Sequence, residues 1–317
     1  MSRWSSVLAG MLVAVLGVAC QRSASEVPPG PPPPPIAPIA ISAAPQLAAP
    51  ASTSPPSPAP PAAACGDAGD VLLFASPEHP AKGEPMRVVA VADGLVDASL
   101  SLTSPDGATR AVTERQGGPP YAWIATVDAA AQGTWRASLV RSAECGSASL
   151  AARDVAVGGH HGFVPGTPRT ALWFTRAAWT PSFENLYSAW IEHMFDAPLD
   201  AQPSWNALHE VLRDPARNFL FDHLGANEDQ QGVVVRPDCA DLPYFLRAYF
   251  AFKLGLPFGW SRCSRGENGV PPACGDFATH SNPFPKGADG KEPDLPPWAD
   301  PKRSGTWESN AKRIGEF

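Results

Sequence analysis

The sequence predicts a multidomain chain in which an all-β sandwich is followed by a helix-rich α+β domain. Seven short apolar runs recur between Asp70 and Val157 with turn residues between them. Beyond Gly158 the composition becomes aromatic, holding seven of the ten Trp and three of the four Tyr residues. Ahead of both, 15 of the 38 prolines crowd between Gln21 and Ala64, where the only charges are Arg22 and Glu26. That stretch cannot build a core, so about 250 residues remain, enough for two ordinary domains. The expected divisions are 1–20, 21–64, 65–157 and 158–317. With 24 basic and 31 acidic residues, a net charge of -7 and no Lys/Arg-rich run, no nucleic-acid partner is expected.

Residues 1–20, MSRWSSVLAGMLVAVLGVAC, carry one basic residue, Arg3, and an apolar run from Val7 to Ala19. The run is too short for a membrane span, which needs about 20 apolar residues, and fits a secretory signal. Its end, Leu16-Gly17-Val18-Ala19-Cys20, resembles a bacterial lipoprotein signal. The resemblance implies a lipid on Cys20 and an exported chain held in the cell envelope by a lipid anchor. Gly17 stands where that motif prefers Leu, so ordinary signal cleavage is the competing reading. The Pro-rich stretch 21–64 then favours a solvated polyproline spacer of about 3 Å per residue.

The strand runs are DVLLFA, MRVVAVA, ASLSLTS, ATRAVTE, PYAWIATV, GTWRASLV and SLAARDVAV. Gly83, Asp93-Gly94, Pro105-Asp106-Gly107, Gly117-Gly118 and Gly133 fall between them as turn residues. Ala98, Leu100 and Leu102, and again Trp135, Ala137 and Leu139, alternate with period two. Seven strands in about 90 residues with this patterning suggest an immunoglobulin-like sandwich. No cluster of His, Cys or carboxylate residues falls within it, so the expected role is a spacer or a binding module.

Six cysteines are present: Cys20, Cys65, Cys145, Cys239, Cys263 and Cys274. Export permits disulfides. Cys65 precedes the first strand and Cys145 the last, so their bridge would clamp the sandwich. Cys263 and Cys274 flank the loop SRGENGVPPA, and closing it would contribute about 2 to 3 kcal/mol. Cys239 is left over as a free thiol.

In the C-terminal half, Thr180 and Pro181 give a helix cap and a first-turn proline. Phe183, Leu186, Tyr187, Trp190, Ile191 and Met194 follow at helical spacing and read as a core stripe. A shorter helix is expected to open at Ser204, and another from Asp214-Pro215 to Gly225. Then comes Asp238-Cys239-Ala240-Asp241-Leu242-Pro243, continuing through aromatic and Leu residues to Leu254-Gly255-Leu256-Pro257. Asp238 or Asp241 can cap this helix, and Gly255 and Pro257 stop it. A cysteine at a helix start is a candidate nucleophile, because unpaired N–H groups and the helix dipole favour the thiolate. The flanking carboxylates oppose that effect, so a partner His is required.

This stretch, Asp238 to Pro257, resembles the papain-like cysteine clan, which includes NlpC-type endopeptidases and transglutaminase-like proteins. The resemblance implies a Cys239 nucleophile, a His base from a following strand, and acyl transfer at an amide bond with helix-start N–H groups holding the oxyanion. His280, 41 residues on, is the candidate base, although Asp276 to Pro283 has no strand pattern. Residues 258–317 hold no alternating apolar run able to cover the helix, so the expectation is an α+β domain incomplete at its C-terminus. Peptidoglycan stem peptides are the expected substrate. The alternative is a non-catalytic envelope module that binds cell wall, glycan or a protein, with Cys239 a structural residue.

Other patterns are weaker. His209-Glu210 lacks the second His of a metalloprotease helix, and the adjacent His160-His161 reads as a solvated pair. Neither a Gly-x-Ser-x-Gly elbow nor a phosphate-cradling loop occurs. No metal and no cofactor are expected.

Overall fold

A computed structural model describes residues 65–158, 171–230, 234–264, 266 and 268–283. The signal sequence with Cys20, the Pro-rich spacer, His160-His161 and the chain after residue 283 lie outside them.

All seven predicted runs form strands: β1 Val71–Ser76, β2 Met86–Ala92, β3 Ala98–Thr103, β4 Thr109–Val112, β6 Tyr121–Val127, β7 Gly133–Arg141 and β8 Ser149–Val157. A two-residue strand, β5 Gln116–Gly117, is added between β4 and β6. They pair into two four-stranded antiparallel sheets, ordered β1-β2-β6-β5 and β4-β3-β7-β8. The facing sides bury Leu73, Met86, Val88, Ala90, Trp123 and Ala125 against Leu100, Leu102, Ala137, Leu139, Val155 and Val157. Cys65 and Cys145 are disulfide-bonded across 80 residues of sequence, which removes about 4 to 5 kcal/mol of unfolded-chain entropy.

The two sheets differ on their outer sides. In β3 every second residue, Ser99, Ser101 and Thr103, is partly exposed, whereas all seven residues of β2 are buried. A strand covered on both faces is apolar on both, which accounts for the continuous run Val88 to Ala92; Arg87, near the strand's start, is the exception. The outward set of β1, β2 and β6, namely Phe74, Val89, Val91 and Ala122, belongs to a second core shared with the C-terminal helices.

Among the described residues, three α-helices contribute to that second core. In α1, Pro181–Phe195, the Thr180 side chain accepts from Phe183 N, and Leu186, Ala189, Trp190 and Met194 are buried. The next helix is α2, Leu208–Leu212. It begins later than expected, because Leu208 N is bound to Val235 O at 3.0 Å and Glu210 Oε2 accepts from Asn206 N at 2.9 Å. The helix expected from Asp214 to Gly225 is replaced by successive turns. Buried Asn218 causes this: its Oδ1 takes Leu220 N at 3.0 Å, diverting the chain from the helical ladder. The last helix, α3 Leu242–Leu254, ends at Gly255 in the left-handed region with φ 65. A Cβ there would also meet Arg176 Nε at 2.8 Å, so glycine is required twice over.

The reading of residues 258–283 as lacking strands is corrected. β9 Gly259–Cys263 and β10 Cys274–Thr279 form an antiparallel hairpin. Among the described side chains each strand turns one residue into the core, Trp260 and its cross-strand partner Ala278, too few to register as alternation. The Cys263–Cys274 disulfide sits at a paired position and fixes the register from the far end. Among the described residues no helix is long and apolar enough to cross a membrane.

Double burial of β2 yields a direct test. Val88→Ala and Val89→Ala face opposite sides, so each is expected to cost about 2 kcal/mol in urea unfolding. A near-neutral Val89→Ala would mean that the helices do not cover the sheet.

Candidate functional site

Cys239 lies in the turn before α3, exposed and outside the disulfides. Asp238 organises that turn: its Oδ1 accepts from Ala240 N at 2.8 Å and Asp241 N at 2.9 Å, and its carbonyl takes Leu242 N at 3.0 Å. Asp241, the residue adjoining the helix, makes no side-chain cap bond. Asp238 is therefore the capping residue of the two candidates. This arrangement corrects one expectation. The N–H groups of Ala240 and Asp241, which an oxyanion would need, are already engaged by a carboxylate. Beside the turn, a pocket of about 200 Å³ is lined by Phe195, Trp205, Leu208, Arg236, Pro237 and Leu242.

His280 is at the other end of α3. It directly follows β10, and its N–H donates to Phe258 O at 2.9 Å, beyond the Gly255 stop. The ring is buried and stacked on Trp173, with Nε2 2.6 Å from Thr175 Oγ1 and Nδ1 3.2 Å from Phe258 N. α3 holds 13 residues, which at 1.5 Å per residue is about 20 Å. His280 and Cys239 are thus not brought together, and the pairing expected from their sequence separation is withdrawn. Burial lowers the His280 pKa, offset only in part by its backbone bond to Phe258. The ring acts as a structural neutral side chain.

The C-terminal end of α3 is closed by the segment before α1. Arg176 N donates to Gly255 O at 2.7 Å and Arg176 Nη2 to Lys253 O at 3.0 Å, while the Trp173 and Trp179 indoles donate to Leu256 O and Pro257 O. These donors satisfy carbonyls that a helix end otherwise leaves open.

What sequence reasoning missed is a buried polar chain along α3. Trp190 Nε1 donates to Asn218 Oδ1 at 2.8 Å, Asn218 Nδ2 to Tyr249 Oη at 2.9 Å, and Tyr249 Oη to Asp229 Oδ1 at 2.8 Å. Lys253 Nζ, fully buried one turn after Tyr249, lies 2.5 Å from both Asp229 Oδ2 and Glu228 Oε1. Glu228 also accepts from Leu224 N and Ala226 N. Burial alone would raise Glu228, but the charge and hydrogen bond of Lys253 together with the backbone N–H of Leu224 hold it below its ordinary value. Asp229 goes the other way, because its deeper burial, with Glu228 beside it, outweighs Lys253. Burial and the neighbouring Asp229 push the Tyr249 hydroxyl well up. The signal was a lysine set in FAFKL, an otherwise apolar helix end, preceded by Glu228-Asp229.

Carboxylate oxygens of Asp222, Glu228 and Asp229 lie within 4.8 Å of one another, as a metal site would require. The Lys253 ammonium stands between two of them and already supplies the positive charge. His209 Nδ1 accepts from Val235 N at 3.3 Å and serves the fold.

His223 is buried where the halves meet, stacked on Phe74 with ring centroids 5.0 Å apart and with Nδ1 3.2 Å from Ser76 Oγ. Burial first, then the charges of Lys253, Arg176 and Arg153, drive its pKa well below the ordinary value.

Two outcomes follow from this geometry. Lys253→Met leaves two buried carboxylates without a counter-ion and is expected to cost about 3 to 5 kcal/mol in urea unfolding at neutral pH. A loss below about 1 kcal/mol would remove the ion cluster from the account of stability. For His223, the folded pKa lies below the unfolded value, so the unfolded chain binds the extra proton and stability falls as pH drops below about 6.5. His223→Phe should flatten the fall between pH 7.5 and 5.5, and an unchanged slope would assign it elsewhere.

No family model matches the chain, and no curated protein matches it in sequence.

Proposed function

We propose that this chain is the thiol-bearing part of a bacterial envelope lipoprotein that acts on amide bonds as a papain-like cysteine hydrolase. The observation that carries the reading is Cys239: an exposed, unbridged cysteine in the turn that opens an aromatic-rich helix, beside an apolar pocket. The hairpin β9–β10 after α3 supports it, since the resemblance implies strands following the nucleophile helix. The Cys239 thiolate attacks the amide carbonyl and forms a thioester, the amine leaves with a proton from the base, and water releases the acid. His280, at the wrong end of α3, is not the base, so another group must take that role. Oxyanion donors other than Ala240 N and Asp241 N are required. Lipid attachment at Cys20 and an immunoglobulin-like sandwich as spacer place the thiol near the wall, with peptidoglycan stem peptides as substrate class.

A second reading rests on a specific observation. Asp238 occupies the helix-start N–H groups, as a structural cap would in a non-catalytic module that binds wall, glycan or protein.

A stem-peptide chloromethyl ketone separates the two. The folded chain should be alkylated at Cys239, faster than the same thiol in the urea-unfolded chain, and Cys239→Ala should take up none, by intact mass. His280→Gln should leave the rate within about twofold, as a group about 20 Å away does. Labelling no faster in the folded chain favours the binding module, and labelling abolished by His280→Gln would restore His280 as the base.

A further inference from the structure

The loop after β1 and the turns after Pro215 enclose a cleft of about 760 Å³, large enough for a small ligand. Pro77, Pro85, Pro215, Phe221 and Leu224 give it apolar walls. Its distinctive lining residue is Arg87. By the period-two rule Arg87 shares the outer face of β2 with Val89 and Val91, so its side chain is carried between sandwich and helices, and it is only 6 % exposed.

A guanidinium has five donors and is costly to bury unless a carboxylate pairs with it. Here its hydrogen bond runs to a carbonyl, from Nη1 to Phe221 O at 3.2 Å, and its carbon stands 5.9 Å from the Phe221 ring centroid. Asp222 and Asp229 act on Arg87 through space, but neither forms an ion pair with it. Their oxygens are directed elsewhere, Asp222 Oδ2 to Gln230 Nε2 at 2.8 Å and Asp229 Oδ2 to Lys253. A buried cation with no contacting anion among the described residues, opening onto a cleft with apolar walls, describes half of a recognition pair.

We propose that this cleft binds a monoanionic carboxylate on an apolar body, with the carboxylate on Arg87 and the body against the proline and Phe221 walls. Glu84 and Asp222, also in the lining, disfavour a dianion such as phosphate. The chemistry fits two sources, the free C-terminus of a peptide and a free aromatic or aliphatic acid. This site shares no lining residue with the pocket beside Cys239 and stands whether or not that thiol is catalytic.

The test is titration calorimetry on the full chain with N-acetyl-alanyl-phenylalanine, its C-terminal amide, 3-phenylpropionate and inorganic phosphate. Saturable binding of the dipeptide acid, weakened at least about tenfold in the amide, is expected because the charge-assisted pair is lost. Binding of 3-phenylpropionate as tightly as the dipeptide would identify a free acid as the ligand; weaker binding would identify a peptide terminus. Arg87→Met should lose the acid–amide difference. Because that buried change can disturb folding, Ala81→Trp, at an exposed lining position, should block the cleft while leaving the Arg87 strand intact. The proposal is overturned if no carboxylate binds at millimolar concentration, if amide and acid bind equally, if Ala81→Trp binds like wild type, or if phosphate binds more tightly than either acid.

Discussion

The outward row of β2, Arg87, Val89 and Val91, is the constraint on which the other features depend. An isolated sandwich would leave that row in water, and a solvated outer face of the kind seen on β3 would suffice. With Val89 and Val91 there instead, the sheet must be covered, and α1 together with the turns around Phe219 and Leu224 covers it. The cover cannot extend past the end of the sheet, where β2 begins at Met86 and β1 ends at Ser76. There the chain turns to polar groups: Arg87 on Phe221 O, Ser76 on His223, and Glu78 N on His223 O at 2.8 Å. The cleft and the buried His arise from the same termination of apolar cover.

α3 meets a different requirement. Nine of its residues are buried, yet it carries Lys253 near its end. Burying two carboxylates with one ammonium leaves an excess negative charge, which Glu228 relieves with backbone N–H groups and Asp229 relieves by a raised pKa. Such clusters seldom add stability over an apolar equivalent. What this one provides is placement: it ties the 218–230 turns to one face of α3, while Arg176 and the Trp173 and Trp179 indoles tie the segment before α1 to its end. α3 is therefore anchored most heavily at its C-terminal end, away from Cys239.

Much of this was readable from residue patterns. Period two found the sandwich, because one buried face writes itself as alternation; the run Val88 to Ala92 was read only as a strand, and its cover on both faces came from the structure. Thr180-Pro181 and Gly255 marked helix ends for steric and hydrogen-bonding reasons that need no tertiary context. The two disulfides followed from the proximity of Cys65 and Cys145 to neighbouring strand ends and of Cys263 to Cys274 in sequence. The hairpin escaped because, among the described side chains, Trp260 and Ala278 are the strand residues in the core, and a disulfide supplies what apolar alternation does not. The 214–225 helix failed because Asn218 is satisfied by Trp190, Tyr249 and Leu212, partners that are distant or on other elements. His280 shows the limit of spacing. A separation of 41 residues is compatible with either end of α3, and only the pairing of β9 with β10 decides which.

Charge explains why the joint between the halves holds together at neutral pH. His223 is surrounded by Lys253, Arg176, Arg153 and His79, all of which act against its protonation, in addition to its burial. It therefore remains an uncharged ring, able to stack on Phe74 and to bond Ser76. Arg153 donates to Leu73 O and Arg176 pairs with Glu78, so the cations that keep His223 neutral also tie β1 and its loop to their neighbours. A proton on His223 would add a positive charge beside Lys253, Arg176 and Arg153, and among the described residues no carboxylate is in contact with the ring. The cost of this proton falls on the contact between sandwich and helices, because the ring stacks on Phe74 of the sandwich while its own backbone belongs to the turns after α2.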